Sequence, residues 1–181
     1  MTKRSRAREV ALQLLFQHDF NAKIARTDVV RFISDRLRDS LNAEFCIELY
    51  DGVLANMEEI DRRLGEAAEN WRLPRMAAVD RNVLRLGAHE LLYGPETPAG
   101  VSLNEAIELA RRFGSAESPA FVNGVLDRLL KSGVREGVAR GQKPVVEQAA
   151  ASENNDQHAH NEASDNGLSK SESRLTPTSE S

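Results

Sequence analysis

Along the first 130 or so positions, apolar residues recur at intervals of three and four rather than two, the period of helices that bury one face. Ala7, Val10, Ala11, Leu14 and Leu15 form such a stripe on a helix predicted from about Ser5 to His18. Thr27-Asp28 reads as a second helix start, followed by Val29, Val30, Ile33 and Leu37. Asn42 is placed to cap a longer segment through Phe45, Leu49, Val53, Met57, Ile60 and Leu64, with Gly52 and Gly65 as candidate breaks. After the punctuated link Trp71 to Pro74, the residues Met76, Val79, Val83, Leu84, Leu86 and Leu91 line a helix ending near Tyr93-Gly94-Pro95. Ser102 and Glu105 have the spacing of a capping box ahead of Ala106, Ile107, Ala110 and Phe113. Ser118-Pro119 offers a cap and an N1 proline for a last stripe through Phe121, Val122, Val125, Leu126, Leu129 and Leu130. No stretch alternates as a half-buried strand would. The expected fold is all-α, a compact bundle of about six to seven helices in two helical halves joined at the tryptophan link.

From about Arg140 the pattern stops, and Gln, Asn, Ser, Glu and Ala take over without an aromatic, Ile or Met. Such a composition cannot offset its ordering entropy by burial. Residues 1–140 are therefore expected to be the folded domain and 141–181 a disordered acidic tail. The tail also changes the meaning of the net charge. Of the formal −4, all falls on residues 141–181, where Lys143, Lys170 and Arg174 face seven acids. The first 140 residues are neutral, so any basicity they use must be local. The one cysteine, Cys46, has no partner for an internal disulfide and sits among apolar neighbours, as an inert buried thiol would. The apolar run Val10 to Phe16 is too short and too interrupted for a signal peptide, and no segment approaches the roughly 18 apolar residues of a membrane span. A cytoplasmic protein is expected.

Catalytic patterns are missing: there is no phosphate-binding glycine loop, nucleophile elbow or His-Glu-x-x-His. His18 and His89 stand alone in the helical part, His158 and His160 lie in the tail, and Glu58, Glu59 and Asp61 alternate with Arg62 and Arg63 as on a solvated helix face. No enzyme, metal or cofactor is expected. The N-terminus differs: Lys3, Arg4, Arg6 and Arg8 fall within eight residues, offset only by Glu9. Guanidinium groups suit RNA because they grip phosphate bidentately and stack on unpaired bases. A second cluster runs from Arg111-Arg112-Phe113 to Phe121-Val122-Asn123, where either ring could face a base or simply pack in the core.

Three segments in order resemble the NusB family of bacterial transcription antitermination factors. They are Arg6 to Gln17, Val79 to Leu86 with Glu90-Leu91-Leu92, and Asn104 to Ala110 with Phe113-Gly114 and Phe121 to Asp127, within about residues 3 to 133. The resemblance implies a two-part helical fold that binds single-stranded boxA RNA in ribosomal RNA leaders together with the ribosomal protein NusE. Other Nus factors and RNA polymerase would be reached indirectly, and the effect would be on transcription antitermination or termination. It also implies RNA contacts at Lys3, Arg4, Arg6, Arg8, Phe16, Glu117, Phe121 and Asn123. Phe16 stands where relatives often carry Tyr, and Ser5 where many carry a further basic residue. Glu117, at a turn near RNA in the family, should repel phosphate. Asp80, Arg81 and Asn82 are read first as a capping and salt-bridge cluster between the halves. Two other readings are a helical accessory module of the ribosomal RNA methyltransferase type and a protein-only helical adaptor. A monomer or weak homodimer is expected, and the acidic tail either competes with RNA for the basic patch or has no part in binding.

Overall fold

The computed structural model describes residues 2–68, 73–94 and 97–132. The described residues form seven α-helices and no strand: α1 Lys3–Phe20, α2 Arg26–Ser34, α3 Ser40–Ala55, α4 Met57–Ala67, α5 Ala78–Tyr93, α6 Ala99–Phe113 and α7 Ser118–Lys131. A short 3-10 turn covers Leu73–Arg75. Trp71, His158, His160 and the expected tail 141–181 lie outside the described residues. None of the helices is long and apolar enough to cross a membrane.

The organising element is α5. Ten of its residues are buried, including Val83, Leu84, Leu86, Leu91 and Leu92, and α1, α3, α4, α6 and α7 all pack on it. Close approach needs small residues at two places. A Cβ on Gly87 would stand 2.6 Å from Leu126 Cδ1, and one on Gly52 of α3 would stand 2.3 Å from His89 Cε1. The predicted stripes on α1, α5 and α7 are the buried faces, with Val10, Ala11, Leu14, Leu84, Leu86, Leu126 and Leu129 nearly inaccessible. Val30 of the α2 stripe instead remains exposed.

The helix expected to end near Tyr93-Gly94 does so, with Gly94 as its C-cap, but several helix starts depart from the sequence reading. Asn42 is not a cap. It is buried inside α3, and Asp39 caps that helix by accepting from the Asn42 amide at 3.3 Å. Neither Gly52 nor Gly65 breaks the long segment. Asn56 does: its side-chain amide donates to Gly52 O at 2.8 Å, closing α3, while its carbonyl accepts from Ile60 N and opens α4. The second helix begins at Arg26, after Ala25, rather than at a Thr27 cap.

The capping box at Ser102 and Glu105 is also overturned. Pro98 starts α6 four residues earlier, with its carbonyl accepting from Val101 N and Ser102 N. Ser102 is thereby buried within the helix and Glu105 is left for α1. At α7 the proline does occupy the first turn, but the Ser118 hydroxyl accepts backwards from Ser115 N at 2.8 Å rather than forwards into the helix.

Cys46 is fully buried, and burial pushes its thiol pKa up to about 12. His89 is pressed between Gly52 and the Tyr93 ring, 5.5 Å away between centroids. Its Nδ1 has no hydrogen-bond partner, and burial lowers its pKa from 6.5 to about 4. Between these values the unfolded chain binds the proton that the folded chain refuses, so stability falls as pH drops through the window. Denaturant titrations from pH 7 to pH 4.5 should show a loss approaching about 1.4 kcal/mol per pH unit, reduced in His89→Gln. An equally steep loss in that variant would show that another group controls it.

Candidate nucleic-acid interface

The N-terminal cations start from a local anomaly. Thr2 caps α1 by accepting from Ser5 N at 3.0 Å, and the first turn holds Lys3, Arg4 and Arg6 with no acid among them. Cations at a helix N-terminus oppose the macrodipole, by roughly 0.3–1 kcal/mol each. The structure offsets this with acids from α1 itself and from other helices. Lys3 reaches Asp39, the cap of α3, at 3.0 Å. Ser5 donates to Glu105 of α6 at 2.8 Å. Arg6 pairs with Glu9 at 2.6 Å, and the other oxygen of Glu9 accepts from Arg112 of α6 at 3.1 Å.

Arg8 departs from the expected exposed patch. Its side chain is 3% exposed and makes a two-pronged ion pair with the equally buried Glu90, at 2.6 and 2.8 Å. Glu105 lies 3.6 Å from its remaining nitrogen. The reason is register: Arg8 shares a helix face with the buried Ala11, Leu12 and Leu15, and that face brings it to Glu90 of α5. Phe45 of α3 completes the arrangement, with the guanidinium carbons of Arg4 and Arg8 at 5.0 and 5.1 Å from its ring centre.

The charges are thus sorted by depth. Glu9 and Glu90 keep 6% and 4% of their side-chain exposure, whereas Arg6 and Arg112 keep 42% and 44%. The cluster presents the guanidinium groups of Arg6 and Arg112 to solvent above a floor of carboxylates. The other arginine-rich surface lacks that sorting. A groove of about 580 Å³ between α4 and the end of α7 is lined by Arg62, Arg63, Arg128 and Lys131. There Glu59, Glu66 and Asp127, the acids paired with Arg62, Arg63 and Lys131, are themselves at least 39% exposed, so these cations meet their anions at the surface.

The expected RNA residues do not all converge. Lys3, Arg4 and Arg6 share one end of α1, and the Glu9–Arg112 contact links that end to α6, which leads into the turn bearing Glu117. Glu117 and Asn123 are exposed, Phe121 is half-buried against the core, and Phe113 lies under Arg112 at 5.3 Å. Phe16 is elsewhere: ten residues from Arg6 place it on the order of 15 Å along the axis. Its ring packs at a tilt of 54° against that of the exposed Phe20, centroids 5.1 Å apart. That end of α1 is fastened by the cluster at the start of α5. Arg81 and Asn82 both donate to Asp19 at 2.8 Å, and Arg85 bridges Asp19 and Asp61. Burial opposes ionisation of Asp19, but the bonds from Arg81 and Asn82 and the charges of Arg81 and Arg85 prevail and lower its pKa. Arg81 and Asn82 therefore act as the salt-bridge cluster read from the sequence, while Asp80 Oδ1 is buried without a hydrogen-bond partner.

Sequence reasoning missed the acid floor and Phe45. Glu9 is visible three residues after Arg6, but Glu90 lies 82 positions from Arg8 and leaves no local sign. Among the described residues no group of three or more His, Cys, Asp or Glu side chains could hold a metal ion.

A model of the NusB family matches residues 5–131. The transcription antitermination protein NusB of Geotalea daltonii is 43% identical over 141 residues, covering 73% of this chain and 97% of that one. The corresponding protein of Sorangium cellulosum is 47% identical over 132 residues, covering 73% and 94%. Among solved structures, T. maritima NusB superposes with a TM-score of 0.64 at 37% identity, covering 72% of this chain and 92% of that one. A crystal structure of the antitermination factors NusB and NusE in complex with dsRNA gives a TM-score of 0.66 at 25% identity, covering 73% and 98%.

Replacing Arg8 tests the division between buried and surface arginines. Arg8→Met strands Glu90 and is expected to destabilise the fold by about 3–5 kcal/mol, whereas Arg4→Met should cost under about 1 kcal/mol. Urea unfolding reads both, and equal small losses would refute the buried role of Arg8.

Proposed function

As the chain belongs to the NusB family, we propose that it is a transcription antitermination factor that binds boxA-type single-stranded RNA in ribosomal RNA leaders jointly with the ribosomal protein NusE. The observation that carries this reading is the depth-sorted charge at the start of α1, where exposed guanidinium groups stand over buried carboxylates. Such a surface attracts phosphate although residues 1–140 as a whole are formally neutral. The named relatives are antitermination proteins, and a structural neighbour is a NusB and NusE complex with RNA.

The mechanism in this reading is non-enzymatic. No bond is made or broken. Lys3, Arg4 and Arg6 hold phosphate, and Arg4, seated on Phe45, keeps a planar face available for a base. Phe121 and Asn123 extend the contact along α7, while Phe16 serves at the far end of α1. Arg8 supports the surface from within. A modest grip on RNA and a second grip on NusE, combined on one transcript, raise the effective concentration at RNA polymerase. A factor acting on nascent transcripts works in the cytoplasm.

Fluorescence anisotropy with a boxA-like and a scrambled RNA, each with and without NusE, tests the proposal. Selective binding strengthened by NusE is expected, and equal weak binding in all four mixtures refutes it. Neutralising Lys3, Arg4 and Arg6 should flatten the dependence of log K on log salt by about 2, at about 0.7 per phosphate contact on a single strand. Glu117→Lys should tighten binding, and unchanged or weaker affinity would remove the RNA from that turn.

A further inference from the structure

Resting on that reading, we propose that Arg112 is a further RNA-binding residue, held beside Arg6 by Glu9 as a two-guanidinium clamp on the phosphate backbone. Glu9 is the positioning residue of the clamp. It lies on α1, and its two oxygens go to different helices: one to Arg6 at 2.6 Å on α1, the other to Arg112 at 3.1 Å on α6. The carboxylate is nearly buried, while both arginines retain more than two-fifths of their side-chain exposure.

The carboxylate thus lies below the two guanidiniums it bonds, and the cations face the solvent side. The arrangement also brings two like charges together before any ligand arrives. An RNA phosphate set across both guanidiniums would relieve their repulsion, and each planar fork can donate two parallel hydrogen bonds to such an anion. The Phe113 ring, 5.3 Å from the Arg112 guanidinium carbon, limits the rotamers of that side chain and so the entropy lost on binding.

The placement decides which part of the RNA is contacted. Arg112 stands in the last turn of α6, a position favoured by the helix dipole, two residues before Gly114 and five before Glu117. The clamp therefore joins the N-terminal cations to the α6–α7 turn, making one continuous track out of two surfaces that are 103 residues apart in the chain. A guanidinium already engaged with a carboxylate below it is suited to phosphate rather than to reading base edges, so its contribution should not depend on sequence.

The test uses the full chain in salt-titrated anisotropy on boxA-like and scrambled RNA, comparing Arg112→Gln, Arg112→Lys, Glu9→Gln and, as a control away from Glu9, Arg4→Gln. Arg112→Gln should weaken both RNAs by the same factor, roughly three- to tenfold, and reduce the salt slope by about 0.7. Arg112→Lys should restore the slope. If Arg112→Gln alters the melting temperature, the comparison of Arg112→Lys with the parent decides, with a retained slope and a loss of affinity below threefold expected.

Glu9→Gln removes a negative charge beside the RNA, so charge alone predicts tighter binding, whereas loss of positioning predicts weaker binding. Tighter or unchanged binding overturns the clamp. RNA affinity unchanged in Arg112→Gln but reduced in Arg4→Gln overturns this inference and leaves the functional reading intact, as does a loss confined to NusE binding. A parent that binds neither RNA overturns both.

Discussion

Burying a carboxylate is costly unless a cation accompanies it, and this constraint organises the N-terminal half of α1 and everything docked on it. Glu90 projects from the most buried helix of the bundle and is matched by Arg8, which is itself removed from solvent. Glu9 is matched by two arginines that stay near the surface. The fold thereby layers the charges, with Glu9 and Glu90 below and the guanidiniums of Arg6 and Arg112 above. The field outside is that of the nearer layer, which is why a neutral folded region can offer an anion-binding face.

The same helix is anchored at its other end by a different network. Asp19 collects Arg81, Asn82 and Arg85 from α5, and Arg85 continues to Asp61 of α4. Between the two networks, α1 lies along α3 and α5 with Val10, Ala11, Leu14 and Leu15 in the core. A helix fixed at both ends and along one side presents its remaining residues in constant geometry. For a flexible RNA this matters, because a prearranged surface leaves only the ligand to be ordered on binding. The small residues Gly52 and Gly87 serve the same end by letting α3, α6 and α7 close on α5.

The helical character of the chain and its core faces were legible in the residue pattern, since the 3.6-residue period is a local property: Val10, Leu14, Leu84, Leu126 and Leu129 are buried as their spacing requires. Membership of the family was legible in the same segments. Helix ends were less so. Ser102 and Glu105 have the right types at the right interval, yet Pro98 starts the helix one turn earlier and Glu105 finds Ser5 instead. Asn42 lost its cap role to Asp39 for the same kind of reason, a neighbour three positions upstream whose carboxylate also meets Lys3.

By itself, then, the sequence determined an all-helical bundle, its buried stripes and a cluster of cations at one end, because each follows from residues a few positions apart. Only the tertiary structure decided that Arg8 belongs to the interior, that Phe45 seats Arg4, and that Arg112 stands beside Arg6. Those outcomes depend on acids and rings supplied by distant helices. Which arginine faces solvent is settled by what the packed neighbours leave exposed, a quantity that no local spacing contains.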